Sequence, residues 1–266
     1  QKTAYEIYQC DWSSDVCSSD LNALLKAIEE PGLRTVWLLC APTLHDILPT
    51  IRSRCRHIQL HTPSNIEVAK YLVEKHQISP KMADFAARVS QGHIGRARHL
   101  ATNEDVRNRR NAILSIPSQL NSISAAYSAA AKLVDLANAE SDAISEALDE
   151  KEYEELSTAL GKGNNKALKE LEKEQKSRAT RITRDTLDGA LLDLATFYRD
   201  VIMVQAGHDD SLINAELSEQ INKMAANTQS QRTLAKMDAI MKSRESLQRN
   251  GAPLLVMEAL MCELIK

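Results

Sequence analysis

Apolar and polar positions along this 266-residue chain change rhythm twice. Near the N-terminal end the pattern is short and mixed. Asn22 to Glu30 reads as an amphipathic helix with Leu24, Leu25 and Ile28 on one side, stopped at Pro31-Gly32. Thr35 to Cys40 carries the continuous apolar run Val36-Trp37-Leu38-Leu39, which predicts a buried parallel strand. Ile47 to Ser53 can form about two helical turns, and Arg56 to Leu60 predicts a last strand. Helix, strand, helix and strand in this order suit the end of an α/β sheet domain.

The rhythm becomes helical after Pro63. Ser64 is placed to cap a helix running to about His76, with Ile66, Ala69, Leu72 and Val73 apolar. Ser79 and Pro80 open a second helix to about Val89, and Gly92 to Leu100 begins a third. This predicts a small helical domain over 63–102, too small to fold easily without leaning on its neighbours. From about Asn103 to Lys266 the chain is helical and polar, with Pro117 as an interior break. Leu187, Leu191, Leu194, Tyr198, Val201 and Ile202 recur at spacings that mark a buried stripe, and so do Leu254, Met257, Met261 and Leu264. Between Lys151 and Arg184 basic and acidic residues interleave, with pairs such as Glu172 and Lys176 at helical spacing. Mixed charge of this kind marks a solvated helix face rather than a stripe for DNA. Gly161 to Asn165 is a loop interrupting that region.

Composition agrees with a mainly helical protein. Hydrophobic residues make up 43% of the chain and aromatic residues only 4%, while eight Gly and seven Pro leave little material for a β-sandwich. The formal charge of −3 argues against a surface that binds nucleic acid throughout. Cys40, Cys55 and Cys262 lie far apart without Cys-x-x-Cys spacing, as expected of reduced thiols in a cytoplasmic protein. No apolar run approaches a membrane span, and no histidine shows metal-ligand spacing.

Gln1 to Leu21 stands apart from all of this. It has no helical or alternating apolar period, yet it holds two of the five cysteines and one of the two tryptophans. Cys10 to Leu21 back-translates into a short-read sequencing adapter, and Gln1 to Ile7 fits the primer that precedes it. Residues 1–21 are therefore read as translated adapter rather than native protein and are excluded from fold reasoning. The native sequence is expected to enter at Asn22, partway through a domain.

The block NALLKAIEEPGLRTVWLLCAPTLHDILPTIRSRCRHIQLHTP, from Asn22 to Pro63, resembles the second half of the ATPase domain in bacterial DNA polymerase III clamp-loader subunits. The likeness is strongest to the delta-prime branch. It implies a C-terminal fragment of an α/β AAA+ domain over 22–62, a helical lid over 63–102 and an all-α collar for oligomerisation over 103–266. The residues alone leave Arg52, Arg54 and Arg56 as competing cations. The family motif singles out Arg54, flanked by Ser53 and Cys55 and preceded by Thr50, as an arginine finger acting on ATP held by a neighbouring subunit. Such a group suits phosphoryl transfer because it sets fixed, planar positive charge where the transferring phosphoryl group needs it. Cys55 reads as a small packed residue rather than a nucleophile, since no His or Asn pattern accompanies it.

Two further positions bear on whether this subunit hydrolyses ATP itself. Ala41-Pro42 stands where the family offers a polar side chain to the nucleotide. Ser90-Gln91-Gly92-His93-Ile94-Gly95-Arg96-Ala97 shifts the lid arginine by one residue, about 100° around a helix. Both departures imply a non-hydrolysing stator with no cofactor of its own, serving ATP and Mg on a gamma/tau neighbour. Its implied partners are the gamma/tau and delta subunits, the sliding clamp and primer-template DNA, with no membrane. The alternatives are an ATP-hydrolysing gamma/tau-type subunit, or a helical scaffold unrelated to replication whose likeness at Asn22 to Pro63 is accidental.

Overall fold

A computed structural model describes residues 25–26, 28–30, 35–41, 43–160 and 165–265. Residues 1–21, read above as adapter, lie outside the described residues, as do Pro42 and most of the 161–165 loop. The chain divides into two compact units, residues 1–62 and 63–266.

In the first unit, residues 25–26 and 28–29 are helical, a 3-10 turn covers Leu44–Asp46, and a single helical turn, α1, spans Pro49–Arg52. The two expected strands do not form. Thr35 to Ala41 and Arg56 to Leu60 run without a ladder, and Val36, Leu38, Ile58 and Leu60 are largely exposed. A strand is stabilised by the neighbours that bond its edges and cover its faces. Among the described residues neither segment is bonded into a ladder, and cover is partial, reaching only Trp37, Leu39 and Ala41. Ile51 is the buried anchor of α1.

The second unit is all-helical among its described residues. Helices α2 (Asn65–His76), α3 (Pro80–Ser90) and α4 (Ile94–Thr102) pack on one another around Val68, Leu72, Ala83, Ala86, Ala87, Ala97 and Leu100. The start of α2 is a capping box. The Ser64 hydroxyl accepts from the Glu67 amide at 3.3 Å, and the Ser64 amide donates to Glu67 at 2.8 Å. The Ser64 amide and the Ser64 hydroxyl, both donating to the Glu67 carboxylate at 2.8 Å, hold it below its ordinary value. The face of α2 differs from the expected one: Ile66 is exposed and Val68 takes the inner position.

Helix α5 (Glu104–Gln119) runs past Pro117, which sits in its last turn rather than breaking its interior. Asn103 caps it, accepting from the Asp105 and Val106 amides. Two long helices follow, α6 (Ile123–Leu160) and α7 (Asn165–Gln205), then α8 (Ser218–Asn227), α9 (Ser230–Gln248) and α10 (Pro253–Ile265). Helix α6 packs on α7, α7 on α9, α9 on α10 and α10 back on α6, which closes a four-helix ring, while α5 and α8 lie against α7. Leu187, Leu191, Leu194, Tyr198 and Val201 fill its centre with Met257, Met261 and Leu264. Two expected positions differ: Leu254 lies at the exposed start of α10, and Ile202 is only half-buried. Among the described residues the buried apolar side chains of α6 end at Ala137 and those of α7 begin at Leu187. Beyond them the hairpin is joined by polar contacts: Ser141 donates to the Ala179 carbonyl, Gln175 donates to the Asp149 carbonyl, and Arg178 grips Glu152 with two bonds.

Candidate functional site

The sequence places Thr50, Ser53, Arg54 and Cys55 together at the end of α1, and the structure brings the first three into one hydrogen-bonded turn. Pro49 starts the helix where its missing N–H costs nothing, and Ile51 fixes the turn by burial. The Ser53 amide donates to the Pro49 carbonyl and the Arg54 amide to the Ile51 carbonyl, both at 3.0 Å. The Thr50 carbonyl then receives two side chains, the Ser53 hydroxyl at 3.1 Å and Arg54 Nη1 at 2.8 Å. On its other arm Arg54 Nη2 meets Glu29 Oε1 at 2.5 Å. Arg54 and Glu29 remain about half exposed, so this is a surface pair with donors to spare. Arg52 and Arg56 are exposed as well. Cys55 is also exposed, which corrects the expectation of a packed residue. It follows the helix end, where no described element covers it.

Arg96, in the small helical segment, has a different fate. His93 caps α4, its Nδ1 accepting from the Arg96 amide, and the Arg96 side chain turns onto Asp193 of α7 at 2.5 Å. There it joins a cluster that sequence reading missed. Arg110 of α5 is buried and donates to Asp193 at 3.0 Å, to Glu216 at 3.4 Å and to the Asn214 side chain, with its guanidinium over the Phe85 ring. Arg88 of α3 reaches the Ile213 carbonyl at 2.9 Å and Glu216 at 3.2 Å. Asp200, fully buried, accepts from the Ile213 and Asn214 amides, from the Asn214 side chain and from Arg199. Helices α3 and α4 of the small helical segment are thereby tied to α5, α7 and residues 213–216 through one set of charges. A signal was present: Asp193, Thr196 and Asp200 sit at helical spacing beside the apolar stripe of α7, where solvated acids are out of place.

An open cleft of about 410 Å³ lies beside this cluster, lined by Arg96, His99, Arg109, Arg110 and Glu140 among others. Its arginines are already committed, Arg109 to Glu140 and the other two to Asp193. Among the described residues no group of three or more His, Cys, Asp and Glu could hold a metal ion, and no helix is long and apolar enough to cross a membrane. Of the Ala41-Pro42 pair, Ala41 is half-buried and Pro42 lies outside the described residues.

Two family models match the chain on either side of the small helical segment. The model described as DNA polymerase III, delta subunit, matches residues 5–64, and that described as DNA polymerase III, delta subunit, C terminal, matches residues 150–264. Over these two stretches the chain is similar to DNA polymerase III clamp-loader subunits. The first match contains the whole Arg54 turn, so the likeness at Asn22 to Pro63 is not accidental. It also reaches back to residue 5, into the segment read as adapter. The DNA polymerase III subunit gamma of Buchnera aphidicola subsp. Schizaphis graminum is 26% identical over 130 residues, which cover 44% of this chain and 36% of that subunit. The chain thus spans little more than a third of this curated clamp-loader relative.

Proposed function

We propose that this chain is a non-hydrolysing, delta-prime-type stator of a replicative clamp loader, which supplies Arg54 in trans to ATP and Mg on an adjacent gamma/tau subunit. In this reading it works in the cytoplasm with gamma/tau and delta subunits, the sliding clamp and primer-template DNA. The observation that carries it is the Arg54 turn. The guanidinium stands half exposed at the end of a helix anchored by Ile51, and its backbone is braced by bonds to Pro49 and Ile51. A cation so placed reaches outward while its base stays fixed, which is what stabilising charge on a neighbour's phosphates requires. The fate of Arg96 supports the non-hydrolysing half of the reading, because a side chain bound to Asp193 is not available to a nucleotide.

The test is ATP turnover by a reconstituted loader containing the full-length subunit. Arg54→Ala is expected to lower turnover at the served site by on the order of a thousandfold while the complex still assembles. Arg54→Lys should recover little, since a point charge cannot donate two parallel bonds. Unchanged turnover in an assembled Arg54→Ala loader overturns the reading. The match to a gamma subunit favours a second reading, an ATP-hydrolysing subunit. Binding of ATP and Mg to the isolated full-length chain separates the two: the stator reading expects none, the second reading expects saturable binding.

A further inference from the structure

Among the described residues Glu29 is the side chain that pairs with Arg54 by charge, and it belongs to the helical stretch preceding the apolar run rather than to the finger's own turn. We propose that Glu29 is a positioning residue that parks the finger, holding it against its own subunit until the phosphates of a docked neighbour compete it away. The inference rests on the reading of Arg54 as a trans finger and adds a regulation of that site.

The geometry shows the parked position. In the parked state Nη2 lies 2.5 Å from Glu29 Oε1 and Nη1 donates to the Thr50 carbonyl at 2.8 Å, alongside the Ser53 hydroxyl on the same oxygen. The Thr50 contact comes from the turn itself and can persist as the side chain extends. The Glu29 contact is the one that an incoming phosphate must replace. A single half-exposed carboxylate holds an arginine weakly, because water and salt screen the pair. Phosphate oxygens carry more charge and accept two parallel bonds from a guanidinium, so they win the competition when they arrive. Parking therefore costs a docked loader little, yet it keeps the cation from straying to other anions in an undocked one. Glu29 touches no reacting atom and acts only through Arg54.

The experiment compares wild type, Glu29→Gln and Glu29→Asp in the reconstituted loader, with kcat and KM for ATP measured from low to moderate salt. Glu29→Gln keeps the shape of the side chain and removes its charge. It is expected to raise kcat about two- to fivefold at low salt with KM for ATP unchanged, and the difference should shrink as salt rises. Glu29→Asp, which retains the charge, is expected to stay near wild type and guards against a merely structural loss. A fall in kcat for Glu29→Gln, or no change at any salt, overturns the parking role. Arg54→Ala is run beside them. If that variant turns over ATP normally, the finger reading itself fails. If it is impaired while Glu29→Gln behaves as wild type, only the parking proposal fails.

Discussion

Arg54 in the first unit and Arg110 in the second carry the same guanidinium into opposite surroundings. The Arg110 side chain is 3% exposed and is matched by Asp193, Glu216 and Asn214, with Phe85 beneath it. The Arg54 side chain is 40% exposed and has one carboxylate partner and one carbonyl. Burial turns a charge into an obligation: once water is gone, every donor needs a protein acceptor or the fold loses several kcal/mol. Exposure leaves the charge free to change partners at small cost. The first arrangement fixes helices to one another, and the second suits a group that must act on something outside its own chain. The number and burial of partners, more than the presence of an ion pair, separate a structural arginine from one proposed to act on a neighbour.

Arg110→Met breaks this comparison most sharply if it is wrong. Removing one member of a buried ionic set costs about 3–5 kcal/mol. The low end, about 3 kcal/mol, is expected here, since Asp193 keeps Arg96 and Glu216 keeps Arg88. Arg54→Ala should change stability by no more than about 0.5 kcal/mol, as surface substitutions do. Urea unfolding followed by helical circular dichroism measures both. Equal effects on stability would remove the distinction drawn between the two arginines.

That distinction was legible in the sequence from one side only. The Arg54 turn is local: Thr50, Ser53 and Arg54 are within a few residues, so a short motif holds all of it except Glu29. The Arg110 cluster is assembled from helices far apart in the chain, its bonds to Asp193 and Asn214 spanning 83 and 104 residues. Periodicity located Leu187, Leu191, Leu194 and Tyr198 because burial repeats with the helical turn. It could not pair Asp193 with Arg110, since no local rule selects a partner on another helix. The strands expected at Thr35 to Cys40 and Arg56 to Leu60 failed for a related reason. An apolar run states that a segment wants cover, and whether cover exists is decided elsewhere in the chain.

Arg244 tests the middle of the scale. Its side chain is 19% exposed and clasps Asp188 of α7 from α9 with two bonds, at 2.7 and 2.9 Å, which raises the Arg244 pKa further above its ordinary value. A half-dry bidentate pair should fall between the extremes. Arg244→Ala is expected to cost about 1–2 kcal/mol in the same urea experiment, and part of that loss is packing along the side-chain stem. A cost as large as that of Arg110→Met would mean that bond geometry outweighs burial in this protein.

The smallest effect belongs to the far end of the long hairpin, where Arg178 is 31% exposed and bonds both oxygens of Glu152. Those bonds hold the Glu152 carboxyl below its ordinary value of 4.5. A carboxylate with a depressed folded value stabilises the fold fully above its unfolded value, and that contribution is lost as pH falls through the folded one. Wild type should therefore exceed Glu152→Gln in melting temperature at neutral pH by a small margin. The margin should close as pH drops below the ordinary carboxylate value and stay constant from there upward to neutrality. Because the pair is exposed, added salt should narrow it too, whereas salt should leave the Arg110→Met deficit nearly untouched. A Glu152 margin indifferent to both pH and salt would show that this arginine, despite its exposure, is held as Arg110 is, and exposure would then lose its place as the measure that tells the arginines apart.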